Sequence, residues 1–443
     1  MKVLVPLPID LSVMANGRTL RVVHLLRELN HGCELTCAVP NDHRLKAARQ
    51  ALPNVHIESP DTASEADRKR WPADLLPLDG LSRRGLSFVG LDEPTLRMTA
   101  ELASRFDTVF GFDVISLGYL LAVRHTRGGR QPRIVADMID DPWITCRSTS
   151  LGVRLSPAGL KQAAVVYWLR SRLIGELDAC TAVAQRDAES LATATGLNVP
   201  VVPNGVHLCD ASCLESRREN LVVLTGAMQF PPNAAAACWL VRRVWPRVWR
   251  AMGGGQHHGA GTPEPVQLAI VGTSPTLRAR RLAETPGVVV TGAVDDVGAW
   301  LKRARLAVAP MVTGSGIKNK VLEASAAACP VAATSLGVAG LPSGDNNGSL
   351  VADRAEELAD KIVTLLQNPS LARTIGLAGR AMVSRQYSWP RMAQRMLGIL
   401  EGPRSAGNAR TCPEDSSNPP TDALSGHQSE SSREKESLAH ATS

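Results

Sequence analysis

The chain has 443 residues, with 49 Lys and Arg against 42 Asp and Glu, 44% hydrophobic and 21% charged residues. That length suits two or three domains with full cores, and that composition excludes a wholly disordered chain. No apolar run reaches the ~18 residues of a membrane span, the Pro-broken start does not read as a signal peptide, and nine scattered cysteines without a Cys-x-x-Cys pair point to reduced thiols in a cytoplasmic protein.

Short apolar runs rich in β-formers alternate with helical patterns, as in a parallel sheet wrapped by helices. In the first half the pattern predicts strands over 2–7, 34–39, 108–112, 133–138, 180–183 and 199–202. Between them, 18–29 places Leu20, Val22, Val23, Leu25, Leu26 and Leu29 on one side of an amphipathic helix, and 158–177 reads as another. A second series predicts strands over 220–225, 266–271, 288–291, 306–310, 331–334 and 349–352. Its helices fall over 233–252, 297–304, 317–327, 355–366 and 371–384. Both halves therefore read as doubly wound α/β domains. The first spans 1–205 and the second 206–386, and 387–401 forms a closing helix. Residues 402–443 are rich in Ser, Pro and charge and read as a disordered tail.

The tail carries four basic and six acidic residues, which leaves +9 on the first 401. A basic body attracts anions, whether nucleic acid, anionic lipid or phosphorylated small molecules. Aromatics are only 4% and are not interleaved with basic residues on strands, which argues against nucleic acid as a partner.

The stretch 310–340 carries the most chemistry. Thr313-Gly314-Ser315-Gly316 follows a strand and enters a helix, where exposed N–H groups and the helix dipole favour an anion. Lys318 and Lys320 stand in the first turn, where the dipole disfavours cations by ~0.3–1 kcal/mol, a placement that makes sense around a phosphate. Glu323 follows Gly316 by seven residues, so it faces the same way about 10 Å along the axis, a distance suited to ribose hydroxyls. The plainer alternative is a tight turn with a Lys320–Glu323 surface pair. No Gly-Lys-Ser/Thr follows, so the loop is not a Walker A motif.

Gly314-Ser-Gly-Ile-Lys-Asn-Lys-Val-Leu-Glu-Ala, with Pro330-Val331 and Gly340-Leu341, resembles the donor-site signature of retaining GT-B glycosyltransferases of family 4. It is most similar to the branch of sugar transferases of exopolysaccharide systems. Three further segments resemble family motifs in order: Val201-Val-Pro-Asn-Gly205-Val, Leu224-Thr-Gly-Ala-Met-Gln-Phe-Pro-Pro-Asn233 and Val290-Thr-Gly-Ala-Val-Asp-Asp-Val297. Tyr387-Ser-Trp389 resembles the start of the helix that crosses back to the first domain.

The resemblance implies an α/β GT-B fold, two Rossmann-like doubly wound domains facing a cleft. It implies a nucleoside-diphosphate sugar as donor, held by the second domain, and a glycan or lipid-linked acceptor on the first. Gly314, Gly316 and Lys320 would then meet the diphosphate and Glu323 the ribose, with Ser315 and Lys318 beside the donor and Lys318 sharing in charge neutralisation. Gly292, Ala293 and Val294 would flank the base, and Gly226 and Asn233 would lie beside the donor. No metal or other cofactor is expected, and no Asp-x-Asp is present. The chain departs from the family pattern at Ser315, where the first of two glutamates usually stands, and at Ala227 and Asn233, where many members carry Arg and Lys. It departs again at Ile139, where the family often shows His.

On the acceptor side, Asp137 and Asp140 end a strand, where carboxylates face the cleft of an open sheet and can orient or deprotonate a hydroxyl. A capping role for Asp140 is the alternative. Gly17 and Arg18 form an acceptor-side loop after the first strand. Arg68-Lys69-Arg70-Trp71 with Arg83, Arg84, Leu86 and Phe88 could dock on anionic lipid, placing the protein at the inner face of the cytoplasmic membrane. His257-His258 has no third ligand nearby, and its Gly-rich surroundings read as a loop. Trp245 and Trp249 share a helix face that suits a core. A non-catalytic GT-B subunit and a sugar-nucleotide epimerase are the alternative functions.

Overall fold

The computed structural model describes residues 1–12, 17–60, 91–126, 129–141, 143–144, 174–209, 218–254, 265–314, 317–342 and 348–402. The alternating pattern becomes two parallel six-stranded sheets, both within one compact unit, Met1–Arg404. The first half contains β1 (Lys2–Pro6), α1 (Gly17–Leu29), β2 (Glu34–Ala38), α2 (His43–Ala51), β3 (His56–Glu58), α3 (Glu93–Leu102), β4 (Thr108–Phe112), α4 (Asp113–His125), β5 (Arg133–Asp137), β6 (Ala179–Thr181) and α5 (Gln185–Thr195). The second begins with β7 (Glu219–Thr225), α6 (Pro231–Trp239), α7 (Trp245–Ala251), β8 (Gln267–Val271), α8 (Leu277–Arg280), β9 (Val288–Gly292) and α9 (Val297–Arg303). It continues with β10 (Ala304–Ala309), α10 (Asn319–Ala326), β11 (Val331–Ala333), β12 (Ser349–Val351), α11 (Ala355–Gln367) and α12 (Pro369–Gln386), before the closing α13 (Trp389–Leu400).

Strand order locates the site. The first sheet runs β3-β2-β1-β4-β5-β6 and the second β12-β11-β10-β7-β8-β9. Each winds outward from its first strand and then restarts beside it. The switch points therefore lie between β1 and β4 and between β7 and β10, and ligands of open parallel sheets bind beyond the carboxyl ends of such strands. Val3, Leu4 and Val5 are fully buried, as are Val222, Val223 and Leu224, because helices cover both faces of a parallel sheet.

Helix α13 returns to the first half. Trp389, Met392, Met396 and Leu400 join the core built by Val22, Leu25 and Leu29 of α1. Val206 and Ser388 form a parallel bridge, so the two crossings between the halves lie side by side. Gly205 is required there, since a Cβ would stand 2.5 Å from the Trp389 ring. The carboxyl edges of the sheets meet through an apolar cluster that joins Ile139, Val183 and Ala184 to Ile317, Leu322, Ala326 and Met382.

The structure adds α2, α3, α4, α5 and α8 to the helices expected from the sequence, and it differs from the expectations in three further places. Residues 199–202 form no strand, only a bridge from Val201 to Ala182. The exposed edge strand β3 has no apolar signature to announce it. The helix expected over 233–252 is broken by a π-helical turn, Leu240–Val244. Pro246 lacks the N–H that a continuous helix would use, and the wider turn keeps Trp245 and Val248 buried. The expectations for 158–173, 68–88, 257–258 and the tail from 403 lie outside the described residues. Among the described residues no helix is long and apolar enough to cross a membrane.

Candidate functional site

Glycine turns line the carboxyl edge of the second sheet beside its switch point. After β7, Gly226 has φ 145° and Gly272, after β8, has φ 159°. A Cβ on Gly272 would stand 1.8 Å from the Gly226 carbonyl oxygen, so backbone fills the space that side chains would occupy. After β10, Gly314 has φ 110° and leads into α10. Ser315 and Gly316 lie outside the described residues.

The helix expected from 317 begins only at Asn319, so Lys318 does not stand in its first turn but at the N-cap with extended backbone, while Lys320 and Glu323 sit on α10 itself. The Lys320 ammonium donates to Asn233 Oδ1 at 2.8 Å and lies 3.7 Å from Met311 Sδ. Asn233 in turn donates from Nδ2 to the Ala227 carbonyl at 3.0 Å. The neutral amide at this position thus aims a lysine supplied by α10. Burial lowers both ammonium pKa values to about 8, opposed by Asp140 and Asp187 at Lys318 and by Glu323 at Lys320. Burial also raises the Glu323 carboxyl, against the pull of Lys320. Lys318 is buried, and Lys320 and Glu323 are half-buried, so their charges act on one another more strongly than on an open surface. Gly292 ends β9 at φ 75°, with Ala293 exposed and Val294 half-buried beyond it.

The first sheet presents its own switch point. Arg18, next to Gly17 at the start of α1, pairs with Asp113 at 2.6 Å across the gap between β1 and β4. Asp113 is 7% exposed and held at φ 57°, a conformation costly for a non-glycine residue and concentrated at functional sites. Nothing in the sequence marks it beyond its place after a strand. Asp140 follows β5 and is exposed. Desolvation by the protein around it and then the like charge of Asp113 raise its pKa, while Lys318, Arg18 and Arg21 oppose the rise. Carboxylates of the first half and lysines of the second thus share one field across the cleft.

Asp137 is a correction. It does not face the cleft but is fully buried. Arg21 Nε donates to its Oδ2 at 2.6 Å and Arg21 Nη2 to its Oδ1 at 3.1 Å, while Thr181 Oγ1 donates to Oδ1 at 2.9 Å. A carboxylate so occupied cannot also hold an acceptor hydroxyl. It ties α1 to β5, and the strand-end rule failed because the sequence does not show which cation α1 would bring. Ile139, at φ 59° and 8% exposed, belongs to the apolar cluster between the sheets.

Among the described residues no three His, Cys, Asp or Glu side chains stand together as metal ligands would. Solved structures with the same arrangement identify the architecture. HepE of Anabaena, crystallised with UDP and glucose, superposes with a TM-score of 0.59 at 14% identity, covering 91% of this chain and all of that one. WaaG, a glycosyltransferase involved in lipopolysaccharide biosynthesis, gives 0.54 at 15% identity over 91% of this chain and 100% of its own. The fold is that of the GT-B glycosyltransferases. Residues 219–368, within the second half, match the family Glycosyl transferases group 1. A GDP-mannose-dependent alpha-(1-6)-phosphatidylinositol monomannoside mannosyltransferase of Mycobacterium tuberculosis is 34% identical over 154 residues, 31% of this chain. The match spans 40% of that relative's length.

Proposed function

We propose that this protein is a retaining, metal-independent glycosyltransferase. It moves a sugar from a nucleoside diphosphate to a hydroxyl of a glycan or lipid-linked acceptor in surface-polysaccharide assembly. The observation that carries the reading is Lys320 aimed by Asn233 at 2.8 Å, on the helix that opens from the Gly314 turn at the switch point of the second sheet. A diphosphate there meets two ammonium groups and the positive end of α10. As the bond from the sugar to the diphosphate breaks, charge grows on the leaving oxygen, and preorganised cations in a partly dry wall stabilise it without reorganisation. This supplies the charge a divalent ion would otherwise bring. Glu323 receives the ribose hydroxyls, and the backbone of Gly292, Ala293 and Val294 flanks the base. Gly17 and Arg18 approach from the acceptor side. Asp140, with its pKa raised, is suited to orient and take a proton from the acceptor hydroxyl.

The names of the similar proteins support a nucleotide-sugar donor and a surface glycan or lipid acceptor: GDP-mannose and a phosphatidylinositol glycolipid in one, UDP and glucose in another, lipopolysaccharide in the third. The basic stretch with Trp71 supports peripheral attachment to anionic membrane at the cytoplasmic face. Thermal shift with nucleoside diphosphates and nucleotide sugars, without added metal, should show a selective response to one base. The matching nucleotide sugar should then yield a new glycoside. A folded sample that responds to none overturns the reading, and an epimerised sugar nucleotide as product would replace it. Salt-sensitive sedimentation with anionic liposomes tests the membrane component, and failure to bind them refutes it.

A further inference from the structure

Among the described residues, a polar contact joins the two halves in the immediate neighbourhood of the donor lysines. Asn319, the first residue of α10, meets the first half through its side-chain amide. Its Oδ1 accepts from Asn204 Nδ2 at 2.7 Å. Its Nδ2 lies against Gly17, close enough that a Cβ there would stand 3.2 Å away. Asn204 belongs to the segment that leaves the first half, is 7% exposed, and accepts at Oδ1 from Arg21 Nη1 at 3.1 Å. Because its oxygen faces a guanidinium, its NH2 group must be the one turned toward Asn319. Arg21 is itself fixed by donating to the carbonyls of Val202 at 2.8 Å and Pro203 at 3.0 Å, and by its buried pairing with Asp137. A continuous hydrogen-bonded chain therefore runs from the end of β5 through α1 and the crossing segment to α10. Lys318 and Lys320 are the residues on either side of Asn319.

We propose that Asn319 is a positioning residue: through Asn204 it latches the first turn of α10 to the first half and so sets the distance across the cleft. The inference rests on the glycosyltransferase reading and adds a role for this chain's own residues within it. The donor-side groups, namely the Gly314 turn, Lys320 with Asn233, and Glu323, all belong to the second half and are complete without the latch. Asp140, by contrast, rides on the first half. Loss of the latch leaves nucleotide affinity intact but lets acceptor and donor drift apart, and a misplacement of about 1 Å costs on the order of 100-fold in rate.

The test uses the full chain with Asn319→Ala, Asn204→Ala and the double variant, each checked for native melting. UDP and GDP are titrated for binding, and kcat is measured with the nucleotide sugar that wild type turns over. Asn319→Ala should lower kcat by about tenfold or more while the nucleoside diphosphate Kd stays within about threefold. The double variant should be no slower than the slower single one, because both remove one contact. Unchanged kcat, equal losses in kcat and affinity, or single effects that multiply would each overturn the inference. Asn319 is only half-buried, so the Asn319→Ala arm stands even if Asn204→Ala does not fold. A wild-type protein that forms no glycoside from any donor overturns the underlying reading; wild-type turnover with multiplying effects overturns the latch alone.

Discussion

Raising the pH should loosen the donor site where ordinary lysines are still charged. Burial brings the ammonium groups of Lys318 and Lys320 from 10.5 to about 8 in the unliganded protein. Each is then about nine-tenths protonated at pH 7 and about one-tenth at pH 9. A diphosphate that requires one of them loses roughly tenfold in affinity over that interval, and one that requires both roughly a hundredfold. The sign for folding is opposite. Both pKa values fall on folding, so from about 8 to 10.5 the unfolded chain binds more protons and the unliganded protein gains stability as pH rises. Calorimetric titration with UDP and GDP at pH 7, 8 and 9, beside melting curves at the same pH, separates the two trends. Lys320→Met should weaken binding at pH 7 and remove one of the two proton-linked steps. Affinity that holds flat to pH 9 would refute the assignment of these lysines to the phosphates.

Glu323→Gln keeps the shape but removes the carboxylate, and should raise the donor KM by about tenfold with no loss of melting temperature, because a charge costly to bury is gone; an unchanged KM rejects the ribose contact. Asp137→Ala strands the buried Arg21 guanidinium and should cost about 3–5 kcal/mol in urea denaturation, and wild-type stability would show the pair to be dispensable. Gly205→Ala drives a methyl group into the Trp389 ring and should cost about 1–3 kcal/mol, read by the same denaturation curve. His24 donates nothing to the donor site but stacks on Trp389, with ring centroids 5.2 Å apart, and its Nδ1 lies 3.0 Å from His207 Nε2. Burial, then His207 and Arg27, lowers its pKa from 6.5 to about 4. The unfolded ring therefore takes a proton that the native ring refuses, and stability should fall as pH drops from 6.5 toward 4. His24→Phe should flatten that part of the profile, and an unaltered slope would refute the cause.

The legible features were those written within a few residues. Val3-Leu4-Val5 and Val222-Val223-Leu224 read as buried parallel strands because a sheet covered on both faces needs continuous apolar runs. The Gly314 turn was visible as a glycine after a strand, and the three-residue spacing of Lys320 and Glu323 was legible because helix geometry makes such residues neighbours. The edge strand β3 was not, since its three residues are half-exposed or exposed and carry no period. Residues 199–202 misled for the converse reason: valines suited to a strand stand on either side of Pro200, and only Val201 finds a bridge partner.

The sequence by itself determined two doubly wound halves, a phosphate-suited turn before a helix, and the candidate cations and carboxylate around it. Tertiary structure alone decided what each charge meets. It paired Asp137 with Arg21 from 116 residues away, set Asp113 against Arg18, aimed Lys320 with Asn233 and hooked Asn319 to Asn204. Periodicity and turn chemistry depend on the residues next along the chain. Charge pairing and pKa depend on burial and on which neighbours the fold brings within a few ångströms, and those are properties of the assembled halves.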